Sequence, residues 1–171
     1  MEPPQYPAGP NPPDEDRPSR EHLIGMIESA PQNLRNAVEG LSDAQLDTKY
    51  KNWTIRQIVH HLADSHANGY INFKMALTED QPAIKPYDRN KWVELEESRT
   101  GPVEGPLELM EGIHKQWVQL MRTMSEEEFS RTYVNPRDNR VTKLSTALGT
   151  YAWHARHHTG QILWMRENKQ V

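Results

Sequence analysis

Six of the eight histidines fall into two clusters nearly a hundred residues apart: His60, His61 and His66 in the first, and His154, His157 and His158 in the second. Imidazole is the commonest side-chain ligand for borderline transition metals. Two helices that each bring histidine to one point can build a metal site inside a helix bundle. Positions i and i+4 of a helix lie only about 40° apart, so His154 and His158 share a face, as in the H-x-x-x-H pairs that hold metals. His157 points elsewhere, nearer the polar side. The first cluster leaves a choice open. His60 and His61 diverge by about 100°, so both cannot easily reach one ion. His66 lies near the middle of its helix's apolar stripe and His61 on the flank. Spacing does not choose between them, and a lone buried histidine satisfied by a hydrogen bond would look the same as His66.

The rest of the chain limits what such a site can be made of. There is no cysteine, which excludes disulfides, thiolate ligands and a cysteine nucleophile. Any metal must sit on nitrogen and oxygen, and any thiol must come from outside the chain. The length of 171 residues suits one domain with a core of its own. A net charge of -4 gives no reason to expect a nucleic-acid partner. The sequence shows no apolar run of transmembrane length and no apolar segment of the signal-peptide kind near its start. A cytoplasmic protein without membrane partners is expected.

The elements that must position the histidines read as follows. Residues 1–18 hold seven of the thirteen prolines and predict an extended N-terminal arm that either wraps the domain or stays mobile. The domain itself is expected over 19–171. Ser19 can cap a first helix carrying Leu23, Met26, Ile27, Leu34 and Val38, with Pro31 expected to kink or split it. Ser42-x-x-Gln45 and Thr54-x-x-Gln57 are capping boxes. The second opens a long helix over about 55–77, with Ile55, Ile58, Val59, Leu62, Tyr70, Phe73 and Leu77 as its apolar stripe. Residues 78–104 predict a long crossover with a short helix near 90–97, a loop length often tied to function. Pro106 suits the first turn of a third helix running to about Met124, with Leu109, Ile113, Trp117, Leu120 and Met124 marking its buried face. Ser125-x-x-Glu128 caps a short helix. Thr132–Val134 and Val141–Thr142 predict a small β-hairpin, and Ser145 is the expected cap of a last helix over about 146–167. The sum is an all-α four-helix bundle with a long crossover loop and a small β-hairpin. The short first connection makes helices one and two antiparallel, and the crossover lets two neighbours run parallel.

The segment Trp53-Thr54-Ile55-Arg56-Gln57-Ile58-Val59-His60-His61-Leu62-Ala63-Asp64-Ser65-His66 resembles the second-helix motif of the DinB-like superfamily. Tyr151-x-Trp153-His154-Ala155-Arg156-His157-His158-Thr159-Gly160-Gln161 resembles its last-helix motif, and Pro82-Ala83-Ile84-Lys85-Pro86-Tyr87-Asp88 is similar to the crossover of the YfiT-like branch of metal-dependent hydrolases. The resemblance covers about residue 18 onward. It implies a four-helix bundle with two parallel middle helices and a divalent metal, zinc or nickel, on three histidines. By that resemblance the ligands are His61, directly before the Leu-Ala-Asp step, with His154 and His158. It also implies a homodimer, and the superfamily is similar to thiol-dependent transferases and isomerases.

Three neutral nitrogens leave a divalent ion with open positions. A water there has its pKa lowered toward ~7, which is the hydrolase reading. A small-molecule thiol taking the same position would be ionised, which is the thiol S-transferase reading, of the bacillithiol-transferase kind. A non-catalytic metal-binding bundle is the alternative of another class, and it predicts a fourth protein ligand closing the site. Ligating histidines usually donate their other N–H to an acceptor. Asp64 and Gln161, each three residues after an implied ligand, are candidates for that role, and His66 is a third. No residue stands out as a general base. Trp53, Tyr70, Lys74, Tyr87 and Trp153 are candidates to line a pocket.

Overall fold

The computed structural model describes residues 2–168. Met1 and 169–171, the outer ends of the expected arm and bundle domain, lie outside the described residues. Local capping sets most helix starts. Ser19 Oγ accepts from the His22 N–H and opens α1 (Arg20–Val38). Reciprocal capping boxes open α2 (Asp43–Leu46) at Ser42 and Gln45, and α3 (Ile55–Thr78) at Thr54 and Gln57. The strands β1 (Lys49–Tyr50) and β2 (Trp53–Thr54) form a two-stranded turn between them, a hairpin the hydropathy pattern does not announce. The crossover holds two short helices, α4 (Arg89–Trp92) and α5 (Glu96–Thr100), where the sequence predicts one. They are followed by α6 (Glu104–Thr123) and α7 (Glu126–Ser130), the latter opened by the Ser125–Glu128 box.

Two expectations at helix ends are corrected. Pro31 does not split α1, which runs unbroken through it. Ser145 is not a cap. The antiparallel hairpin of β3 (Thr132–Asn135) and β4 (Arg140–Lys143) leads straight into α8 (Leu144–Asn168), and the Leu144 N–H is taken by the Arg131 carbonyl at 2.9 Å. A backbone acceptor thus does the work expected of a serine side chain. The segment 82–84 of the crossover pairs with β3 through Ile84 N–H to Val134 O (2.8 Å) and Val134 N–H to Pro82 O (2.9 Å).

Side-chain contacts fix the helix directions. Going up α3, His66 meets His114 and Phe73 meets Trp117, so α3 and α6 run parallel. Arg17, just before α1, reaches Thr146 near the start of α8, and Arg166 near its end reaches Ala37, so α1 and α8 are parallel too. Arg35 meets Glu104 while Arg122 meets Glu28, so α6 is antiparallel to α1. The bundle is up-down-down-up, and its two middle helices are parallel. Helices α1 and α3 are antiparallel as the short connection predicts, but they face each other diagonally across the core.

The core falls into two apolar clusters. One holds Leu34, Val38, Ile55, Ile58, Leu62, Leu107, Met110, Ile162 and Met165. The other holds Ile24, Ile27, Phe73, Trp117, Met121, Phe129, Leu144 and Leu148. On α6 the predicted stripe holds in part: Trp117 and Met124 are buried, and Ile113 and Leu120 pack half-buried against the core. The buried line is Leu107, Met110, His114, Trp117 and Met121, while Leu109 is 47% exposed. A histidine within that line hides its apolar period.

The proline-rich arm lies along α8. Trp153 Nε1 donates to Gly9 O (2.9 Å), Arg156 donates to Ala8 O (3.0 Å), and Tyr50 OH donates to Pro4 O. Arg17 packs where a side chain at Gly149 would stand. That helical glycine gives the arm its seat. No described helix is long and apolar enough to cross a membrane.

Candidate metal centre

Two apolar clusters leave a layer between them, and the histidines fill it. The capping box at Thr54 fixes the start of α3, which places His61 two turns in and Trp53 against it, ring centroids 4.7 Å apart. The N-terminal end of α3 is pinned further by Arg56. Its buried guanidinium donates to Asp47 (2.8 Å), Asp43 (2.9 Å) and Gly101 O (2.8 Å), while Gln57 holds Val93 O (2.8 Å). Together they clamp the crossover to α3.

His61, His154 and His158 converge. One ring nitrogen of each lies within 4.8 Å of the other two, and the Nε2 atoms of His61 and His154 are 3.1 Å apart. The rings stand edge to face, at 74° to 86°. His158 Nδ1 donates to Gln161 Oε1 at 2.7 Å, which leaves its Nε2 bare. Gln161 in turn donates to His157 Nε2 (3.2 Å). Burial is the main force holding all three rings neutral. It pushes His61 and His154 well below the ordinary imidazole range and His158 down to about 3, with neighbouring imidazoles adding to the effect and the Arg89 cation adding at His61 and His158.

These residues fit a cation. Two imidazole nitrogens bound at about 2.1 Å to one ion stand roughly 3.0–3.4 Å apart for angles between about 90° and 109°. The 3.1 Å pair has that separation, which serves equally an N–H···N hydrogen bond in the metal-free protein and two lone pairs directed at one ion. No fourth histidine or carboxylate joins the trio among the described residues. The non-catalytic alternative requires that fourth ligand.

The other sequence candidates are placed as follows. Gln161 touches His158, as above. His66 is fully buried, bonded to His114 (2.9 Å) and 3.4 Å from His154 Nδ1. Asp64 does not reach His61. It faces the crossover, where burial and the nearby Glu97 charge push its carboxyl up to about 6, and His61 Nδ1 has no hydrogen-bond partner among the described residues. His60 also turns to the crossover, beside Glu97 and Arg56. His157 is buried, not polar-facing. The arm covers it through Tyr6 at 5.6 Å, and Trp153 of α8 stacks on it at 4.8 Å. An arm far away in sequence cannot be seen in helix periodicity.

The trio opens into a cleft of about 310 Å³ lined by Trp53, Trp153, Asn52, Asn90, Lys51 and Arg89 among others. No Asp or Glu lines it among the described residues, although acidic residues outnumber basic ones in the chain. Tyr70 and Lys74 pair with each other instead of lining it, and Tyr87 packs on Trp92. Two larger clefts, of about 680 and 600 Å³, lie between α1 and α8 and between α1 and α6, away from the trio. Lys51, Asn52, Arg89 and Asn90 went unnoticed in the sequence because the β1–β2 turn and the short crossover helix α4 bring them in.

The model of the DinB superfamily matches residues 26–162. The chain belongs to the DinB superfamily. It is 44% identical over 161 residues to the "Putative metal-dependent hydrolase YfiT" of Bacillus subtilis (strain 168), which covers 92% of this chain and 90% of that protein. It is 46% identical over 157 residues to a protein of the same description from Bacillus cereus (strain AH820), over 88% and 90% of the two chains. The solved structure of Bacillus subtilis YfiT, described as a probable metal-dependent hydrolase with an unusual four-helix bundle topology, superposes with a TM-score of 0.90. The two are 41% identical over 96% of this chain and 97% of that one. The fold is also similar to a mycothiol-dependent maleylpyruvate isomerase, with a TM-score of 0.67 at 17% identity, over 86% of this chain and 62% of that one.

Proposed function

We propose that this superfamily member is a metal-dependent hydrolase whose single divalent ion, zinc or nickel, is held by His61, His154 and His158. The observation that carries the reading is the meeting of three imidazole nitrogens, with no fourth histidine or carboxylate among the described residues, in the lining of a cleft. The relatives described as metal-dependent hydrolases support it. When bound, such an ion lowers the pKa of a water or thiol and polarises a carbonyl. The chain's own residues do the rest. Burial keeps the three rings neutral and available as ligands near pH 7. Gln161 orients His158. Trp53 and Trp153 supply apolar walls, and Lys51 and Arg89 favour a substrate carrying negative charge. No carboxylate of the cleft offers itself as general base among the described residues, so proton transfer falls to the substrate, to solvent or to the imidazoles.

The second reading is thiol S-transfer. It is favoured by the same cationic, carboxylate-free lining, which suits an acidic low-molecular-weight thiol. The chain has no cysteine to supply one. Metal-loaded protein assayed on ester and amide panels, with and without small thiols, separates the two. Turnover without thiol supports hydrolysis, and turnover only with thiol refutes it. Metal analysis of untagged protein and of His154→Ala tests the site itself, since unchanged metal content in the variant would overturn the ligand assignment.

A further inference from the structure

Behind the trio a row of imidazoles crosses the bundle. His154 on α8 contacts His66 on α3 (Nδ1 to Nε2, 3.4 Å), His66 contacts His114 on α6 (Nδ1 to Nε2, 2.9 Å), and His114 Nδ1 meets the carbonyl of Ile27 on α1. His66 and His114 are 0% and 1% exposed, and their rings stack at 27°. The row ends on a carbonyl with no helical partner. Ile27 O would normally accept from the N–H of residue 31, which is Pro31 and has none. A buried carbonyl left without a donor is unfavourable, and His114 supplies that donor.

We infer that His114 is a positioning residue for the histidine centre: anchored on the Ile27 carbonyl that Pro31 leaves free, it fixes through His66 which nitrogen of His154 carries the proton. The deduction runs from one end. A carbonyl only accepts, so His114 Nδ1 carries the hydrogen. In the neutral ring its Nε2 is then bare. His66 Nδ1 must therefore donate to it, which leaves His66 Nε2 bare. That atom accepts from His154 Nδ1, and His154 Nε2 is left as a lone pair facing His61 Nε2. Neutral rings suit this interior, since burial disfavours the charged form of an imidazole. A carbonyl on α1 thereby sets the donor atom on α8, three hydrogen bonds away. Metal-ligating histidines commonly have their tautomer set by an acceptor on the other nitrogen. Here that acceptor is another histidine, itself set by a third.

Removing the anchor has a specific consequence. Without an acceptor at position 114, the His66 Nδ1–H is buried and unpaired. His66 can then carry its proton on Nε2 and donate to His154 Nδ1, which moves the His154 proton to Nε2, the atom that faces His61.

The consequence for metal rests on the three-histidine reading above, while the tautomer chain itself does not. The experiment is long-range nitrogen–proton NMR of the imidazoles in metal-free protein at pH 8, with resonances assigned by single substitutions. It is followed by zinc affinity measured by competition with a chromophoric chelator. In the native chain His114, His66 and His154 are expected to carry hydrogen on Nδ1. His114→Leu should shift His66 and His154 toward Nε2–H and weaken zinc binding about 10–100-fold. His114→Gln, whose amide oxygen accepts from His66, should keep both tautomer and affinity. Pro31→Ala, which returns a competing N–H to Ile27 O, should broaden the tautomer mixture at His114. Protons on Nε2 of His66 or His154 in the native chain would overturn the proposal, as would an unchanged His154 tautomer in His114→Leu. If His114→Leu does not fold, the native spectrum and Pro31→Ala still decide. The expected tautomers in a chain that binds no zinc would sink the metal reading and leave the positioning role standing.

Discussion

Gly69 sits on α3 where the histidine layer meets the upper cluster, and its missing side chain is filled by aromatic rings. A Cβ there would stand 2.5 Å from Tyr151 Cζ, 2.7 Å from Trp117 Cη2 and 2.8 Å from Tyr151 Cε1. Carbon atoms in contact prefer about 3.5–4.0 Å, so Gly69→Ala drives roughly 1 Å of overlap into two rings at once. Trp117 has the least room to retreat, and Tyr151 is half-buried beside it. Trp117 is fully buried between Phe73 (5.1 Å) and Tyr151 (5.2 Å), and Tyr151 lies against His66 (5.3 Å). Overpacking of this kind costs about 1–3 kcal/mol, against a gain of about 0.5–1 kcal/mol from replacing glycine in a helix. Gly112 on α6 is the internal control, since nothing lies within 4 Å of its Cβ position. Gly112→Ala should stabilise by about 0.5–1 kcal/mol. In urea titrations with unchanged slope, the midpoint of Gly69→Ala should fall and that of Gly112→Ala should rise. Midpoints moving in the same direction would refute the reasoning, because both substitutions have the same intrinsic helix propensity and differ only in what surrounds them.

Other perturbations have equally definite outcomes. Gln161→Leu removes the acceptor from His158 Nδ1 and should weaken zinc or nickel binding about 10–100-fold; chelator competition showing native affinity would contradict it. Arg56→Met removes three hydrogen bonds at the root of α3 and should cost about 2–3 kcal/mol, read as a lowered thermal midpoint. Acid should destabilise the metal-free protein through His114, which burial holds down to about 4 against about 6.5 in an unfolded chain. Both states are neutral above pH 7, where stability is full. As pH falls below 6.5 the unfolded chain takes up a proton that the folded chain refuses until about pH 4. Stability is therefore lost over that window, by up to about 3 kcal/mol from this group. Urea unfolding at pH 7.5, 6 and 5 checks the trend, and equal stability at pH 5 and 7.5 would rule it out.

The parts of this architecture legible in the sequence are those written locally. The boxes at Ser42, Thr54 and Ser125 mark helix starts because each is closed within four residues. The shared face of His154 and His158 follows from helical spacing alone. The choice between His61 and His66 depends on how α3 is rotated against α8, which no single helix records, and only resemblance to a family separated them. His114 was missed because its meaning comes from two other helices and from a hydrogen that Pro31 lacks. Pro31 itself read as a break, although burial of Ile27, Ala30 and Leu34 around it holds the helix together across the lost bond. Ser145 was overruled by the strand that enters α8 directly. The cleft's cations were invisible because they stand on β-turn and crossover segments whose positions depend on Arg56 and Gln57.

The imidazole layer has a mechanical meaning as well as a chemical one. Oil-like packing is forgiving sideways but gives no register. A stratum of rings joined end to end allows only one vertical alignment of α1, α3, α6 and α8. The two greasy compartments above and below it can therefore breathe as separate cooperative units without sliding the helices past one another. Amide exchange should divide at the level of His66, and a cation gripped there would rivet the two compartments into one.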